Sequence, residues 1–273
     1  MLCPYPFKLE VDGKEMLLAC GKCRICRKLK SNEWAQRIMV HQETYPDSFF
    51  LTLTYDNPKQ EIYSLSVRDL QLFFKRLRKA FPMYKITYFS CGEYGKRNER
   101  PHYHALVFGL PVRQLQIRKI HDKMYSEVLM HVWPEGFNNV GFVEKKSIRY
   151  VTGYIIKRMH NDEHIKKKNR SPEFGLYSKN LGLTAFIKNY DYYKRQYDKK
   201  KPLPRYFIKK IREIEEDQSG SLLNSVITEA RKLVRLGKED NMRDALVAIP
   251  RRNKQLEIDS LTLEKIYKQE GAL

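Results

Sequence analysis

Long apolar runs are missing from this sequence of 273 residues. No segment approaches the roughly 18 consecutive apolar residues of a membrane-spanning helix, and the opening stretch, MLCPYPFKLEVDGKEM, lacks the apolar core of a signal peptide. We therefore expect a cytoplasmic protein with no membrane partner. Cysteine is also scarce, with five residues, and in a reducing compartment these are not expected to form disulfides.

The sequence also has no G-x-x-x-x-G-K-S/T motif, so an ATP-driven helicase domain is not expected. Acidic residues are few beside basic ones, 32 against 52, which gives a net charge of +20. This excess says little about the fold and more about partners, because nucleic-acid phosphates are the commonest partner of so basic a protein. A hydrophobic content of 42% with 12% aromatics predicts that most of the chain is globular.

Alternating and helical apolar patterns predict a βαββαβ order. Strands are predicted over 48–56, 84–93, 101–110 and within 136–146, and helices over 32–44, 64–81, 112–133 and 147–159, with caps at Ser31 and Ser147. This is the split βαβ pattern of an α+β, ferredoxin-like antiparallel sheet with helices on one face. The first and third strands are expected side by side in its centre, and the helix after the fourth strand is expected to carry the active site.

Three regions are predicted along the chain. Residues 1–45 form a cysteine-rich segment with a helix, residues 46–200 form the main domain, and residues 201–273 form a helical extension. Within the extension, the pattern predicts helices over 205–216, 221–236 and 258–270, after a linker-like stretch KKKPLP.

The stretch RPHYHALVFG raises the question of why a buried strand should carry His102 and His104. Residues i and i+2 of a strand project to the same face, so the two imidazoles lie together and Tyr103 points away. Glu93 ends the preceding strand, and a hairpin brings its carboxylate close to both. Two histidines and a carboxylate suit Mg²⁺ or Mn²⁺ bound to a substrate oxygen, although ordinary histidines beside a hairpin-end acid would show the same pattern.

Tyr150, Tyr154 and Lys157 form one stripe of the predicted helix, at i, i+4 and i+7. A packing face with a snorkelling lysine would look the same, but tyrosine also forms covalent intermediates with substrates. Thr52 and Thr54 share a face of the first strand, next to the histidine strand. Their hydroxyls are candidates to support the site or contact DNA, or they are ordinary strand residues.

Cys20, Cys23 and Cys26 are spaced at three-residue intervals, and Cys3 is a candidate fourth ligand. Four thiolates in a reducing compartment suit a structural Zn²⁺, with idle thiols or an iron–sulfur cluster as the alternatives. Cys91 is predicted to be a core residue.

Four stretches in order carry a resemblance to a known family: CGKCRICR, FFLTLTYDN, CGEYGKRNERPHYHALVFG and YVTGYIIKR. With the weaker PEFGLYSKNLG, they resemble the HUH endonucleases. The resemblance is closest to the rolling-circle replication initiators of small single-stranded DNA bacteriophages of the microvirus group. It covers about residues 20–160 and leaves 205–273 without a motif.

The resemblance implies that His102, His104 and Glu93 hold one divalent ion that orients the scissile phosphate. A tyrosine attacks and leaves a 5′-phosphotyrosine and a free 3′-hydroxyl that primes synthesis. Two tyrosines fit two successive transfers. We expect Tyr154 to act first, because it lies one helical turn before Lys157, which would stabilise phosphate or phenolate charge.

The implied partners are a single-stranded DNA origin and the helicase and replication machinery of a bacterial host. Two rival hypotheses stay open. One is a noncatalytic single-stranded nucleic-acid or origin-binding protein on a βαββαβ platform, and the other is a metal-dependent nuclease that uses water as nucleophile. Trapping a covalent protein–DNA adduct separates all three.

Overall fold

A five-stranded antiparallel sheet lies at the centre of the computed structural model, which describes residues 3–11, 13–56, 64–95, 99–155 and 169–217. In chain order the strands are β1 (Phe7–Val11), β2 (Lys14–Leu18), β3 (Phe49–Tyr55), β4 (Thr87–Tyr94), β5 (Pro101–Phe108), β6 (Ile117–Ile120), β7 (Lys123–Ser126), β8 (Gly136–Phe142) and β9 (Phe174–Tyr177). The central sheet has the order β8-β3-β5-β4-β9, while β1-β2 and β6-β7 form separate two-stranded ribbons.

The helices flank this sheet and continue after β9. They are α1 (Arg24–Thr44), α2 (Val67–Ala80), α3 (Glu127–Val132), α4 (described over 145–155), α5 (Leu183–Lys188), α6 (Tyr190–Asp198) and α7 (Arg205–Glu216), with a 3₁₀ turn at Val112–Leu115. None of the described helices is long and apolar enough to cross a membrane.

The predicted fold class is confirmed. The four strands expected from the sequence, β3, β4, β5 and β8, lie in the split βαβ order, with β3 and β5 adjacent, and β9 is added beside β4. Helices cover both faces of the sheet, and not one as predicted, because the central strand β5 is apolar on both sides. Tyr103, Ala105 and Val107 pack towards α2 and α3, whereas Leu106 and Phe108 pack towards α1 and α4.

The predicted helix over 112–133 is wrong. Only its last part is helical, in α3, and the middle folds as the β6-β7 ribbon. Gln116 and His121 adopt positive φ angles of 48° and 49°, which interrupt a right-handed helix on either side of β6. Ile117 and Ile120, whose spacing fits a helix, are β-branched residues that also suit a strand. Periodicity alone does not separate these two structures.

Two predicted helix starts also differ from the structure. Helix α1 begins at Arg24, not at 32, and its N-cap is Cys23, whose sulfur accepts a bond from the Cys26 N–H. Ser31 lies inside α1 and donates to the backbone oxygen of Thr152 over 2.9 Å. Helix α4 begins before Ser147, whose hydroxyl reaches back to the backbone N–H of residue 144 at 2.8 Å. Serine thus acts in the first turn there, not as the cap.

The chain after the sheet packs against α1. Phe207 and Ile211 of α7 are fully buried with side chains of α5 and α6, so the predicted helix 205–216 is confirmed and joins a third apolar cluster. The guanidinium of Arg37 in α1 lies 4.2 Å from the Trp34 ring and 3.8 Å from the Tyr206 ring, which ties α7 to α1. The predicted helices over 221–236 and 258–270 lie outside the described residues.

Candidate active site

Two paired strands bring Glu93, His102 and His104 together at one end of the sheet. Glu93 of β4 lies directly opposite His102 of β5, and His104 is two residues further along the same face. The Nε2 atoms of His102 and His104 lie 3.3 Å and 3.2 Å from Glu93 Oε1. The hairpin geometry predicted from the sequence is therefore the one that the structure has.

The Glu93 carboxylate is buried, with 5% of its surface exposed. Burial by itself raises the pKa of Glu93, but hydrogen bonds from His102, His104 and Tyr150 outweigh it and hold the pKa far below its usual range. Glu93 is consequently ionised at neutral pH, as a metal ligand must be.

Hydrogen bonds on the far side of each imidazole fix its orientation. His102 Nδ1 lies 3.0 Å from the backbone oxygen of Arg100, and because a carbonyl only accepts, this nitrogen carries a proton. A neutral His102 then presents an unprotonated Nε2 to the Glu93 carboxylate at 3.3 Å. Two lone pairs facing each other repel, so the arrangement calls for a second proton or a cation between them.

The donor set fits a divalent cation. One ligand atom from each of Glu93, His102 and His104 lies within 4.8 Å of the other two. Bonds of about 2.1 Å place adjacent ligands of an octahedral ion about 3.0 Å apart, close to the contacts observed. Two imidazoles and a carboxylate leave further positions open for substrate oxygen.

Thr52 and Tyr103 hold the histidine strand from its two faces. Thr52 Oγ1 lies 3.0 Å from His104 Nδ1, so the support predicted for this hydroxyl is present. Tyr103 points away from the histidines, as predicted, and its hydroxyl lies 2.6 Å from that of Tyr55. Tyr55 donates in turn to Asp69 of α2 over 2.8 Å, which attaches the strand to the opposite helix layer. Burial raises the pKa of Tyr103 to about 12, so it remains a neutral phenol.

Helix α4 places the two tyrosines of the predicted stripe in different surroundings. The Tyr150 hydroxyl donates to Glu93 Oε1 over 2.7 Å and lies 3.4 Å from His104 Nε2, and the residue is 43% exposed. Tyr154 is 3% exposed and packs with Cys91 and other residues of the α1-α4 core. Burial and the adjacent Glu93 carboxylate raise the pKa of Tyr150. Lys157 lies outside the described residues.

The four predicted thiols lie together at the start of α1. The Sγ atoms of Cys3 and Cys23 are 3.9 Å apart, as are those of Cys20 and Cys26, so neither pair is a disulfide. Four sulfurs at about 2.3 Å from a tetrahedral Zn²⁺ stand about 3.8 Å from one another, so the cluster has the size of a zinc site. Backbone N–H groups of Cys20 and Cys23 donate to Sγ atoms over 3.3 Å, and the second of these bonds contributes most to lowering the pKa of Cys20 to about 6. Cys91 is buried in the core, as predicted.

Sequence reasoning missed one element of the site. The backbone oxygen of Arg100 orients His102, and no side-chain pattern announces a main-chain acceptor.

An antiparallel sheet that presents two histidines and a glutamate beside a tyrosine on the next helix defines a candidate phosphoryl-transfer site of the HUH kind. Comparison with known proteins points the same way. Residues 48–159 match the model of the ORF2 family of replication-associated proteins.

Three curated relatives are replication-associated proteins. ORF2 of Spiroplasma virus 4 is 30% identical over 184 residues, covering 62% of this chain and 57% of the relative. VP4 of Bdellovibrio phage phiMH2K is 29% identical over 163 residues, covering 56% and 52%. ORF4 of Chlamydia phage 1 is 28% identical over 243 residues, covering 79% and 60%.

The chain thus spans between 52% and 60% of the length of these relatives. No solved structure matches it. The resemblance seen in the four sequence motifs is confirmed: this chain is related to the replication-associated proteins of small single-stranded DNA phages.

Proposed function

We propose that this protein is a replication initiator that nicks and rejoins single-stranded DNA at an origin through a covalent 5′-phosphotyrosine, and so starts rolling-circle replication. One observation carries the proposal: an accessible phenol, that of Tyr150, lies 2.7 Å from the carboxylate of a His-Glu-His cluster. A DNA-binding module needs basic and aromatic surface, but it has no need for this cluster.

Glu93, His102 and His104 would hold one Mg²⁺ or Mn²⁺, which supplies Lewis-acid polarisation of a phosphate oxygen. The chain's own residues position the reacting groups. Thr52 and the Arg100 carbonyl hold the two Nδ1 atoms, so that both Nε2 atoms face Glu93. The strand pairing keeps these ligands rigid before substrate binds.

Tyr150 is proposed as the nucleophile of the first transfer. Its hydroxyl loses its proton, its oxygen bonds to the scissile phosphorus, and the bond from phosphorus to the 3′-oxygen breaks. The products are a 5′-phosphotyrosine and a 3′-hydroxyl, and the reverse reaction rejoins the strand without ATP. The sequence argument favoured Tyr154 for this step, and that order stays a prediction. The burial of Tyr154 and the contacts of Tyr150 support the opposite order.

Tyrosine-to-phenylalanine variants test the proposal. A single-stranded origin oligonucleotide, labelled on the 3′ side of the nick, is incubated with full-length protein and Mn²⁺, and adducts are separated by denaturing electrophoresis. Tyr150→Phe should lose the adduct, whereas Tyr154→Phe, the matched control on the same helix, should keep it. Phenylalanine retains the ring, so a loss reports the missing hydroxyl and not a collapsed helix.

The other outcomes separate the rivals. An adduct lost only in Tyr154→Phe would restore the order argued from the sequence. Cleavage without any adduct would indicate water as nucleophile, and binding without cleavage would indicate a noncatalytic origin-binding protein. Because the sequence has no ATP-binding loop motif, we further propose that a host helicase unwinds the duplex.

For the four cysteines we propose a structural Zn²⁺. The Sγ spacings of 3.9 Å support tetrahedral thiolate ligation, and the site closes a loop of the chain that includes the β1-β2 ribbon.

A further inference from the structure

The strongest concentration of uncompensated charge near the candidate site lies at the start of α1. Residues 22–30, KCRICRKLK, contain five basic residues and no acidic residue. Lys22, Arg24 and Lys28 are exposed, and within the described part of the chain none of them forms an ion pair. We call these three side chains the cysteine-module surface.

These charges do not serve the stability of α1. The first turn of a helix favours acidic side chains, and α1 has none there. Four thiolates on a Zn²⁺ would carry a net charge of about −2, which the five basic residues exceed. A net positive surface is therefore left for a partner of opposite charge.

Contacts between α1 and α4 place this surface beside the tyrosine helix. Ser31 bonds to Thr152, and Gln42, eleven residues later in α1, donates to the Val143 oxygen over 2.7 Å, so the two helices run antiparallel. The start of α1 thus extends past the Thr152 end of α4, two residues from Tyr150. Arg24 and Lys28 stand at i−7 and i−3 from Ser31, on the side of α1 that faces α4.

We propose that the cysteine-module surface binds the backbone phosphates of the DNA strand as it leaves the nicking site. The inference rests on the proposed function, since it takes DNA as the substrate of the adjacent site. The cysteine cluster would then fix a DNA-contacting element in place. Binding there would be independent of base sequence, because lysine and arginine neutralise phosphates wherever they lie.

A salt series measures the number of phosphates contacted. The triple variant Lys22→Gln/Arg24→Gln/Lys28→Gln is compared with the matched triple Lys199→Gln/Lys200→Gln/Lys201→Gln, which removes three exposed lysines between α6 and α7. Affinity for a fluorescein-labelled 30-nucleotide oligothymidylate is followed by anisotropy in rising KCl, without added divalent metal. The slope of log K against log[KCl] should fall by about 2 in the first triple and by well under 1 in the control.

Equal slopes in the two triples would overturn the inference, as would a first triple that matches the wild type. Zinc content and thermal melting establish that the variant is folded, and if zinc is lost, Lys28→Gln alone should still lower the slope by about 0.7. Adduct formation at saturating DNA gives a separate readout. A normal adduct with an unchanged slope refutes the surface alone, whereas a changed slope in a protein that forms no adduct refutes the nicking function alone.

Discussion

Replacing Thr52 by valine should weaken divalent-metal binding at the His-Glu-His cluster without disturbing the fold. Valine has nearly the shape of threonine but lacks the hydroxyl that lies 3.0 Å from His104 Nδ1. Without this partner, the imidazole loses both its fixed orientation and its fixed tautomer, and Nε2 no longer faces Glu93 in the ligating form for all of the time.

The expected magnitude follows from the single bond removed. Loss of a group that orients a metal-bound histidine lowers metal affinity by about 10- to 100-fold, or about 1.4 to 2.7 kcal/mol. The free energy of unfolding should fall by only about 1 kcal/mol, the usual net value of one hydrogen bond. Metal binding is therefore the more sensitive readout, and it requires no catalytic turnover.

The neighbouring Thr54 supplies a matched control. It lies on the same face of β3, opposite His102, but among the described residues its hydroxyl has no hydrogen bond to a histidine. Titration with Mn²⁺, followed by calorimetry or electron paramagnetic resonance, should show weakened binding for Thr52→Val, unchanged binding for Thr54→Val and recovery in Thr52→Ser. Equal Mn²⁺ affinity in Thr52→Val and wild type would refute the positioning role, and equal losses in both valine variants would attribute the effect to strand packing.

Three further predictions concern the ligands and a buried histidine. His102→Ala or His104→Ala should abolish adduct formation but change single-stranded DNA affinity by less than about threefold, because affinity comes mainly from lysine and arginine; undiminished cleavage in the double variant, with EDTA also without effect, would contradict the metal site. Elemental analysis should find about one zinc per chain, and Cys23→Ser should lose it and lower the melting temperature, whereas protein prepared without chelator that holds neither zinc nor iron would favour idle thiols. Burial lowers the pKa of His41 to about 3, so below about pH 6.5 the unfolded chain binds a proton that the folded chain does not. Stability should therefore fall by up to about 1.4 kcal/mol per pH unit from pH 6.5 towards pH 3, and His41→Gln should flatten this part of the profile in denaturant titrations.

The hairpin that carries the triad could be predicted from the sequence because its determinants are local. The two-residue period of β5 places His102 and His104 on one face, and the short loop before Pro101 fixes the pairing with β4. Glu93 then has to stand opposite His102. The register follows from strand period and loop length, and both are read from the chain.

The segment over 112–133 failed for the opposite reason. Its apolar residues fit a helix and a ribbon about equally well, and the choice depends on tertiary contacts. Ser126 and Asn138 exchange hydrogen bonds between the end of β7 and strand β8, with the Ser126 N–H donating to Asn138 Oδ1 over 2.8 Å. These partners are twelve residues apart, beyond the reach of a helical or alternating pattern.

The two tyrosines show where spacing stops being informative. Tyr150 and Tyr154 lie one turn apart on a single stripe, so the sequence assigns both to the same side of α4. Which of them stands over the triad depends on how far α4 has slid along the sheet, and that position is set by the Ser31–Thr152 and Gln42–Val143 contacts with α1. One turn corresponds to about 5.4 Å, enough to separate a phenol that touches Glu93 from one buried beside Cys91. The assignment of the nucleophile is thus a matter of helix docking, and changes at the α1-α4 contact should alter adduct yield more than their distance from the triad suggests.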